Sequence, residues 1–354
     1  MKTTILLVFV IIIILCIYMN YNNIEKYLEG FEEERKVLNK CDTYCYLKDI
    51  ISKEENEKIL KIFNKKELLN ENEIEIINSY AKVIRNETKS KKFNIIISAI
   101  YCDEDNYLKE WLDYHLNKLN IIDHIYLYSN CNNKESYNIL KPYIDNGSVT
   151  LIIYNHISKS GIGLIKRKPQ YFSLIHNYNN FKNEYNYIFH FDIDEFLYVK
   201  NETVFLNYIK SKENIVGNFM IKRLNFSGNN HKEKQNSVIN SYFYREKNAS
   251  SYKSIANKNK IIKNRENKYQ VIDNNAQEPE YIGTCHEFFT NLKSEYIPIE
   301  ICQLNHYMLK SKNEYINRRS NGDVRKSTPE QWEKLNKQFH IEKDEKIINY
   351  IKNN

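Results

Sequence analysis

Phe189-His190-Phe191-Asp192-Ile193-Asp194-Glu195-Phe196 decides the reading of this chain. The apolar run from Tyr187 to Phe191 reads as a buried strand, and it ends in two aspartates one residue apart. In extended backbone, residues i and i+2 point to the same side, so Asp192 and Asp194 can face one ligand. Two hard oxygen donors at a strand's carboxyl end suit a divalent cation that phosphate oxygens also hold. Strand ends of open α/β sheets are also where nucleotides sit. The string therefore points to an enzyme handling a nucleotide-activated substrate. Taken alone it reads equally well as two solvated carboxylates, because 45 acidic residues make an Asp-x-Asp expected by chance. The surrounding rhythm separates the two.

Upstream, Phe93 to Ile100 is a continuous apolar run, as expected of a strand covered on both faces. Tyr107 to Leu119 carries apolar residues at helical spacing. A strand from Ile125 to Tyr128, a helix from Lys134 to Tyr143 and a turn at Asn146-Gly147 follow. Next come a strand from Val149 to Tyr154 and a helix from Pro169 to Phe181. This alternation predicts an α/β fold with a mostly parallel, doubly wound sheet. The two aspartates then end its fourth strand and face a crevice. Trp111, Tyr114 and His115 fall at helical spacing and read as packing residues. Beyond residue 200, Phe219 to Phe226 and Tyr242 to Arg245 read as strands, and Ser311 to Ser320 and Pro329 to Phe339 as helices. Periodicity does not fix their order.

The chain has 354 residues and a formal charge of +7, without long Lys/Arg runs. That excludes a dedicated nucleic-acid binder, which concentrates its basic charge in a stripe. With 42% hydrophobic residues the composition is that of a folded protein, not a low-complexity one. Ile5 to Met19 is apolar throughout, a length that suits a signal-peptide core or a short membrane span. No small-residue cleavage site follows, which favours an uncleaved signal anchor with the bulk of the chain in the lumen of a Golgi- or ER-type compartment. Between the anchor and Lys92 the sequence is charged and helical in spacing, with Glu55 to Phe63 and Glu73 to Ile84 as the clearest segments. Outside the anchor, Cys41, Cys45, Cys102, Cys131, Cys285 and Cys302 are even in number and permit disulfides in an oxidising lumen. Asn86, Asn146, Asn201, Asn225 and Asn248 begin glycosylation sequons.

Four segments, in order, resemble glycosyltransferase family 92. Asp105-Asn106-Tyr107-Leu108-Lys109-Glu110-Trp111-Leu112-Asp113-Tyr114-His115 resembles the family's Glu-x-x-Tyr-x-x-Glu-Trp-hydrophobic-x-Tyr-His segment. Asp123 to Asn130 is similar to its second strand, Phe191 to Phe196 to its Asp-hydrophobic-Asp-Glu-Phe motif, and His306-Tyr307-Met308-Leu309-Lys310-Ser311 to its late His-Tyr-x-x-Lys-Ser. The resemblance implies a GT-A fold, a Rossmann-like sheet flanked by helices. It also implies a UDP-sugar donor with galactose as the usual sugar, a Mn²⁺ or Mg²⁺ cofactor, inverting transfer and a glycan acceptor. The resulting organisation is an anchor at 1–20, a helical stem at 21–92, the GT-A domain at 93–325 and a helical tail at 326–354.

By motif match, Asp194 is the expected metal ligand, while Asp192 holds the ribose or assists at the metal. His306 is the third candidate ligand, since imidazole suits Mn²⁺. Lys310 is expected to neutralise diphosphate, with Arg223 and Lys253 as contacts to phosphate or acceptor. Glu195 reads either as a partner behind the ligands or as a surface acid. Inversion needs a carboxylate base near the acceptor hydroxyl. Glu287, in Cys285-His286-Glu287, and Asp323, after Asn321-Gly322, are the candidates. A HAD-type phosphatase also uses Asp-x-Asp, but there the pair ends the first strand. A catalytically inactive glycan-binding or structural membrane protein on the same fold is the competing expectation.

Overall fold

The apolar runs form the sheet the spacing predicts, and the elements that follow them extend it. In the computed structural model, the described residues are 71–89, 92–101, 105–129, 134–153, 169–249, 251–262, 271–272, 276–277, 288, 290–317 and 327–353. All belong to one compact unit, Ile50–Asn354. The expected anchor at 1–20, the candidate bases Glu287 and Asp323, and every cysteine but Cys302 lie outside the described residues. Among the described residues, no helix is long and apolar enough to cross a membrane.

Helix α1 (Glu71–Ser79) leads into β1 (Lys82–Ile84), then β2 (Ile95–Tyr101), α2 (Asp105–Asp113), β3 (His124–Ser129), α3 (Lys134–Asp145) and β4 (Val149–Ile153). Next come α4 (Pro169–Phe181), β5 (Tyr187–His190), β6 (Glu195–Val199), α5 (Glu202–Lys212) and β7 (Val216–Asn225). The remainder comprises α6 (Val238–Ser241), β8 (Tyr244–Arg245), β9 (Ser251–Asn257), β10 (Val271–Ile272) and β11 (Ala276–Gln277). It ends with β12 (Lys293–Tyr296), β13 (Cys302–His306), α7 (Lys312–Asn317), α8 (Pro329–Phe339), β14 (Glu342–Lys343) and α9 (Lys346–Asn353).

Ten strands share one sheet in the order β1-β4-β3-β2-β5-β9-β7-β13-β6, with β12 alongside β7. The block β4-β3-β2-β5 is parallel, as the alternation predicts. On one face α4 covers it through Leu174, Ile175 and Phe181, which pack on Ile96, Tyr126, Ile152 and Ile188. Gly147, in left-handed backbone at φ 85°, ends α3 and begins the approach to β4.

Three expectations need correction. The helix expected over Glu73 to Ile84 stops at Ser79, and Lys82–Ile84 pairs antiparallel with β4 as an edge strand. Its Val-Ile pair takes the pleated surface that the open edge of β4 offers. The strand ending in the aspartates closes at His190, so Asp192 and Asp194 sit in the turn between β5 and β6. The sheet's second half is mixed, because β9 runs antiparallel to both β5 and β7, and β6 antiparallel to β13.

This second half sets the site's position. β7 is parallel to β13, and two antiparallel steps through β9 make it parallel to β5. The carboxyl ends of β5, β7 and β13 therefore meet the amino ends of β6 and β9 along one edge. Among the described residues β6 is the last strand, so one of its backbone edges has no strand partner there. Side chains of the Glu-Trp segment occupy that edge: Trp111 Nε1 donates to Glu195 O (2.7 Å) and Tyr114 Oη to Leu197 O (2.7 Å). Leu197 N–H donates to His115 Nε2 at 3.3 Å, and His115 Nδ1 in turn donates to Trp111 O. The three residues read as packing residues are fully buried.

Candidate active site

The turn carrying the two aspartates is closed from both ends. Asp192 N–H donates to Glu195 Oε2 (2.9 Å), and Glu195 N–H donates to Asp192 O (3.0 Å). Glu195 has no exposed surface, and two cations meet its carboxylate, Arg223 Nη1 at 2.9 Å and Lys253 Nζ at 3.4 Å. It is a buried partner, not a surface acid. Arg223 Nε also donates to Ser251 Oγ at 2.8 Å. Lys253 is itself buried and donates to Asp192 Oδ2 at 2.9 Å. Burial works against its charge, but Asp192 and Glu195 more than offset this and hold the ammonium above its ordinary range. Arg223 and Lys253, expected to contact phosphate or acceptor, are thus committed to the carboxylates of the turn.

Asp192 is engaged on both oxygens, since Gln170 Nε2 donates to Oδ1 at 3.0 Å. Asp194 is placed differently. Tyr307 N–H donates to its backbone oxygen, and its Oδ2 lies 3.6 Å from His306 Nε2. Burial and Asp192 oppose ionisation of Asp194, yet His306 and Lys310 hold its carboxyl well below the usual range. His306 Nδ1 donates to Asn225 Oδ1 at 2.7 Å. The Asn225 amide is itself oriented by Glu246, whose Oε1 accepts from Asn225 N–H and Nδ2, each at 2.8 Å. Glu246 can only accept, so the Asn225 oxygen is left for the imidazole Nδ1–H, and Nε2 faces Asp194. Nε2 and the Asp194 carboxylate, 3.6 Å apart, face one position that a cation completes, either a proton on the ring or a metal ion. A buried carboxylate–amide–imidazole chain behind a ligand is how proteins orient metal-binding histidines.

Among the described residues, no three His, Cys, Asp or Glu side chains converge as a ready-made metal centre. Of the expected trio, Asp194 faces His306, while Asp192 is hydrogen-bonded to Gln170 and Lys253. Asp194 and His306 still fit a hard divalent cation whose remaining positions go to phosphate oxygens and water. Lys310 follows β13 in left-handed backbone (φ 49°), with Nζ 4.7 Å above the Tyr107 ring. Tyr107 Oη donates to Glu314, which also accepts from Ser311 N–H and Oγ. The Glu-Trp segment, the acidic turn and the late His-Tyr segment thus meet at one corner of the sheet.

Sequence reasoning misses Gln170, Asn225 and Glu246. Asn225 begins a sequon, but it is buried between Glu246 and His306 and is no glycan site. Cys302 is a free buried thiol, and burial pushes its pKa well up.

A mixed α/β sheet with carboxylates, cations and an imidazole beyond its strand ends has the arrangement of sheet enzymes that bind ligands in the crevice there. The chain belongs to glycosyltransferase family 92, whose model matches residues 91–352. No curated protein matches it. Among solved structures it is similar to Staphylococcus aureus TarS, at 14% identity over 69% of this chain and 42% of that one, with a TM-score of 0.36. A TarS structure of residues 1–349 gives 12% identity, 47% of each chain and a TM-score of 0.31. The mannosyltransferase Ktr4p of Saccharomyces cerevisiae gives 11% identity over 51% of this chain and 57% of that one, with a TM-score of 0.25. The chain spans less than half the length of the TarS structures.

Proposed function

We propose that the protein is a metal-dependent, inverting glycosyltransferase with a GT-A fold, moving a hexose from a UDP-sugar to a glycan acceptor. Galactose is the first sugar to test. The observation that carries this reading is the opposition of Asp194 Oδ2 and His306 Nε2 at 3.6 Å on the edge where β5, β7 and β13 end. Asp194 and His306 would hold Mn²⁺ or Mg²⁺, which supplies Lewis-acid stabilisation of the departing diphosphate.

The chain's own residues do the rest. Three carboxylates, Asp192, Asp194 and Glu195, face Arg223 and Lys253, so the cluster keeps one net negative charge. Lys310, partly exposed beside Asp194, neutralises diphosphate oxygens. Asp192, fixed by Gln170 and Lys253 but 28% exposed, is positioned to accept from the ribose hydroxyls. In the transfer an acceptor hydroxyl oxygen bonds to the sugar's C1 as the C1–O bond to UDP breaks on the opposite face. The hydroxyl proton passes to a carboxylate, for which Glu287 and Asp323 are the proposed bases. The test is UDP release by the purified chain with Mn²⁺ across a panel of UDP-sugars. Asp194→Asn is expected to abolish release without lowering the melting temperature. Release unchanged in that variant overturns the metal assignment, and no binding of any donor favours an inactive glycan-binding protein.

We further infer a type II membrane topology, with an anchor at 1–20 and a lumenal catalytic domain that takes in the edge strand β1 of the expected stem and the expected tail at 326–354, whose β14 pairs with β8. The apolar run Ile5 to Met19 supports it. Retention in membranes after carbonate extraction, with a glycosidase-sensitive mass shift, is the expected result.

A further inference from the structure

A cavity of about 340 Å³ lies next to the late His-Tyr segment, where Lys312 N–H donates to His231 O at 2.9 Å. Asn229, His231, Gln235, Asn240, Tyr244 and His340 line it. Its volume falls at the small end of the range for ligand pockets, about 300–1,000 Å³. Its walls are held from outside. Glu110 accepts from Ser237 Oγ, Val238 N–H and Ile239 N–H at the start of α6. Asn229 and Asn230 take left-handed backbone (φ 47° and 60°), and Asn229 Nδ2 donates to Ser241 O. Asn229 Oδ1 accepts from Tyr244 N–H and Ser227 Oγ.

The bonds already made define what remains for a ligand. Ser227 Oγ spends its proton on Asn229, so His340 Nδ1 donates to Ser227 and His340 Nε2 keeps its lone pair. Burial holds His340 below its ordinary pKa, which favours the neutral ring. His231 Nε2 donates to Ser241 O and leaves Nδ1. Gln235 Nε2 donates to Glu233 O, and Asn240 Nδ2 to Ser237 Oγ, which leaves both amide oxygens. Among the described residues these four atoms carry no bond, and in the neutral rings all four are acceptors. Tyr244 and His340 stack at 3.9 Å and give the cavity a flat aromatic wall. Lone pairs repel an anion, and no carboxylate is present to hold a cation. Hydroxyl donors on a ring with an apolar face satisfy both features.

The cavity is tied to the elements of the site at two places, the first being His231, whose backbone oxygen accepts from Lys312 N–H two residues beyond Lys310. The second is the segment Tyr244 to Glu246, where Arg245 bridges Phe226 just past β7, Ser227 N–H donates to Tyr244 O and Glu246 N–H to Asn225 O. Glu246 begins the chain through Asn225 to His306. We propose that this cavity is the acceptor subsite and takes one neutral sugar ring of the glycan. The acceptor role rests on the transferase reading above.

The test uses the full chain with Mn²⁺ and the methyl glycosides of galactose, glucose, mannose, fucose and N-acetylglucosamine, read by saturation-transfer difference NMR. UDP binding is followed on the same samples by calorimetry and reports the donor side alone. The expected result is saturation transfer to at least one glycoside, weakened tenfold or more in Gln235→Ala and in the cavity-filling Asn240→Trp. Asn240 is exposed, so the larger ring is accommodated without disturbing the core. Undiminished saturation transfer in both variants, or none to any glycoside from a chain that binds UDP, overturns the inference. Glycoside binding by a chain that does not bind UDP keeps a sugar pocket and overturns the transferase reading and the acceptor role with it.

Discussion

Trp111 Nε1 donates to the backbone oxygen of Glu195 at 2.7 Å, joining the Glu-Trp segment to the acidic turn across 84 residues of sequence. Both residues are fully buried. The bond occupies a backbone acceptor on the unpaired edge of β6, next to the turn that holds Asp192 and Asp194. Trp111→Phe leaves that carbonyl buried without a donor, at a cost of about 1–3 kcal/mol. Urea unfolding is expected to show that loss, together with lower transferase activity at a temperature where the variant remains folded. An unchanged midpoint would show that the edge of β6 tolerates an open acceptor.

Glu195 anchors a buried charge cluster, and its removal is expected to be severe. Glu195→Gln keeps the shape but removes the buried carboxylate that meets both Arg223 and Lys253. Breaking a buried pair by removing one partner costs about 3–5 kcal/mol. Lys109 and Asp113 also pair, but on the surface, with side chains 67% and 39% exposed. Lys109→Ala is expected to shift stability by no more than about 0.5 kcal/mol. Denaturant midpoints of the two variants, measured side by side, check the contrast.

The parallel half of the fold is legible in sequence because each strand is a short run of apolar residues buried on both faces, such as Ile95-Ile96-Ile97. The turn chemistry at Asn146-Gly147 is legible for the same local reason. The mixed half is not legible. Lys82-Val83-Ile84 is too short to distinguish helix from strand without the open edge of β4 beside it. Glu195 reads as surface or interior until the sheet brings Arg223 and Lys253 against it. Asp192 and Asp194 look equivalent in an extended string. Gln170 and Lys253 occupy the first while His306 faces the second, and only the sheet order separates them. Asn225 and Glu246 carry no local signal, since an amide and a carboxylate 21 residues apart become partners through β8 alone.

The Glu246–Asn225–His306 chain predicts how metal dependence responds to substitutions behind the ligands. Asn225→Ala removes the acceptor that fixes His306 Nδ1–H, so the imidazole loses its set tautomer. Such changes behind a ligand typically cost about 10–100-fold in metal affinity or activity. The expected result is a Mn²⁺ titration of UDP release displaced upward by that factor, with activity recovered at saturating metal. A titration curve that overlays the wild type would mean that His306 does not ligate.

Two buried histidines predict acid sensitivity well above the carboxylate range. Burial pushes both His115 and His124 down to about 3, and Arg85 adds to the effect at His124. His124 Nδ1 donates to Gly147 O, Nε2 accepts from Thr150 Oγ1, and the ring stacks on Phe93 at 4.4 Å, so the neutral ring is fully satisfied where it is buried. Their folded values lie below the ordinary 6.5, so the neutral folded forms contribute stability fully above that pH. The contribution is lost as pH falls from 6.5 toward 3, because the unfolded chain takes up a proton at each ring. At about 1.4 kcal/mol per pH unit per group, the pair is expected to cost about 2–3 kcal/mol between pH 7.5 and 5.5. Few carboxylates titrate in that window, which isolates the histidines. Urea unfolding at the two pH values checks the loss, to which His340 adds a smaller share, and His124→Gln is expected to remove about 1.4 kcal/mol of it. An identical pH-dependent loss in wild type and variant would mean that His124 accepts its proton inside the fold.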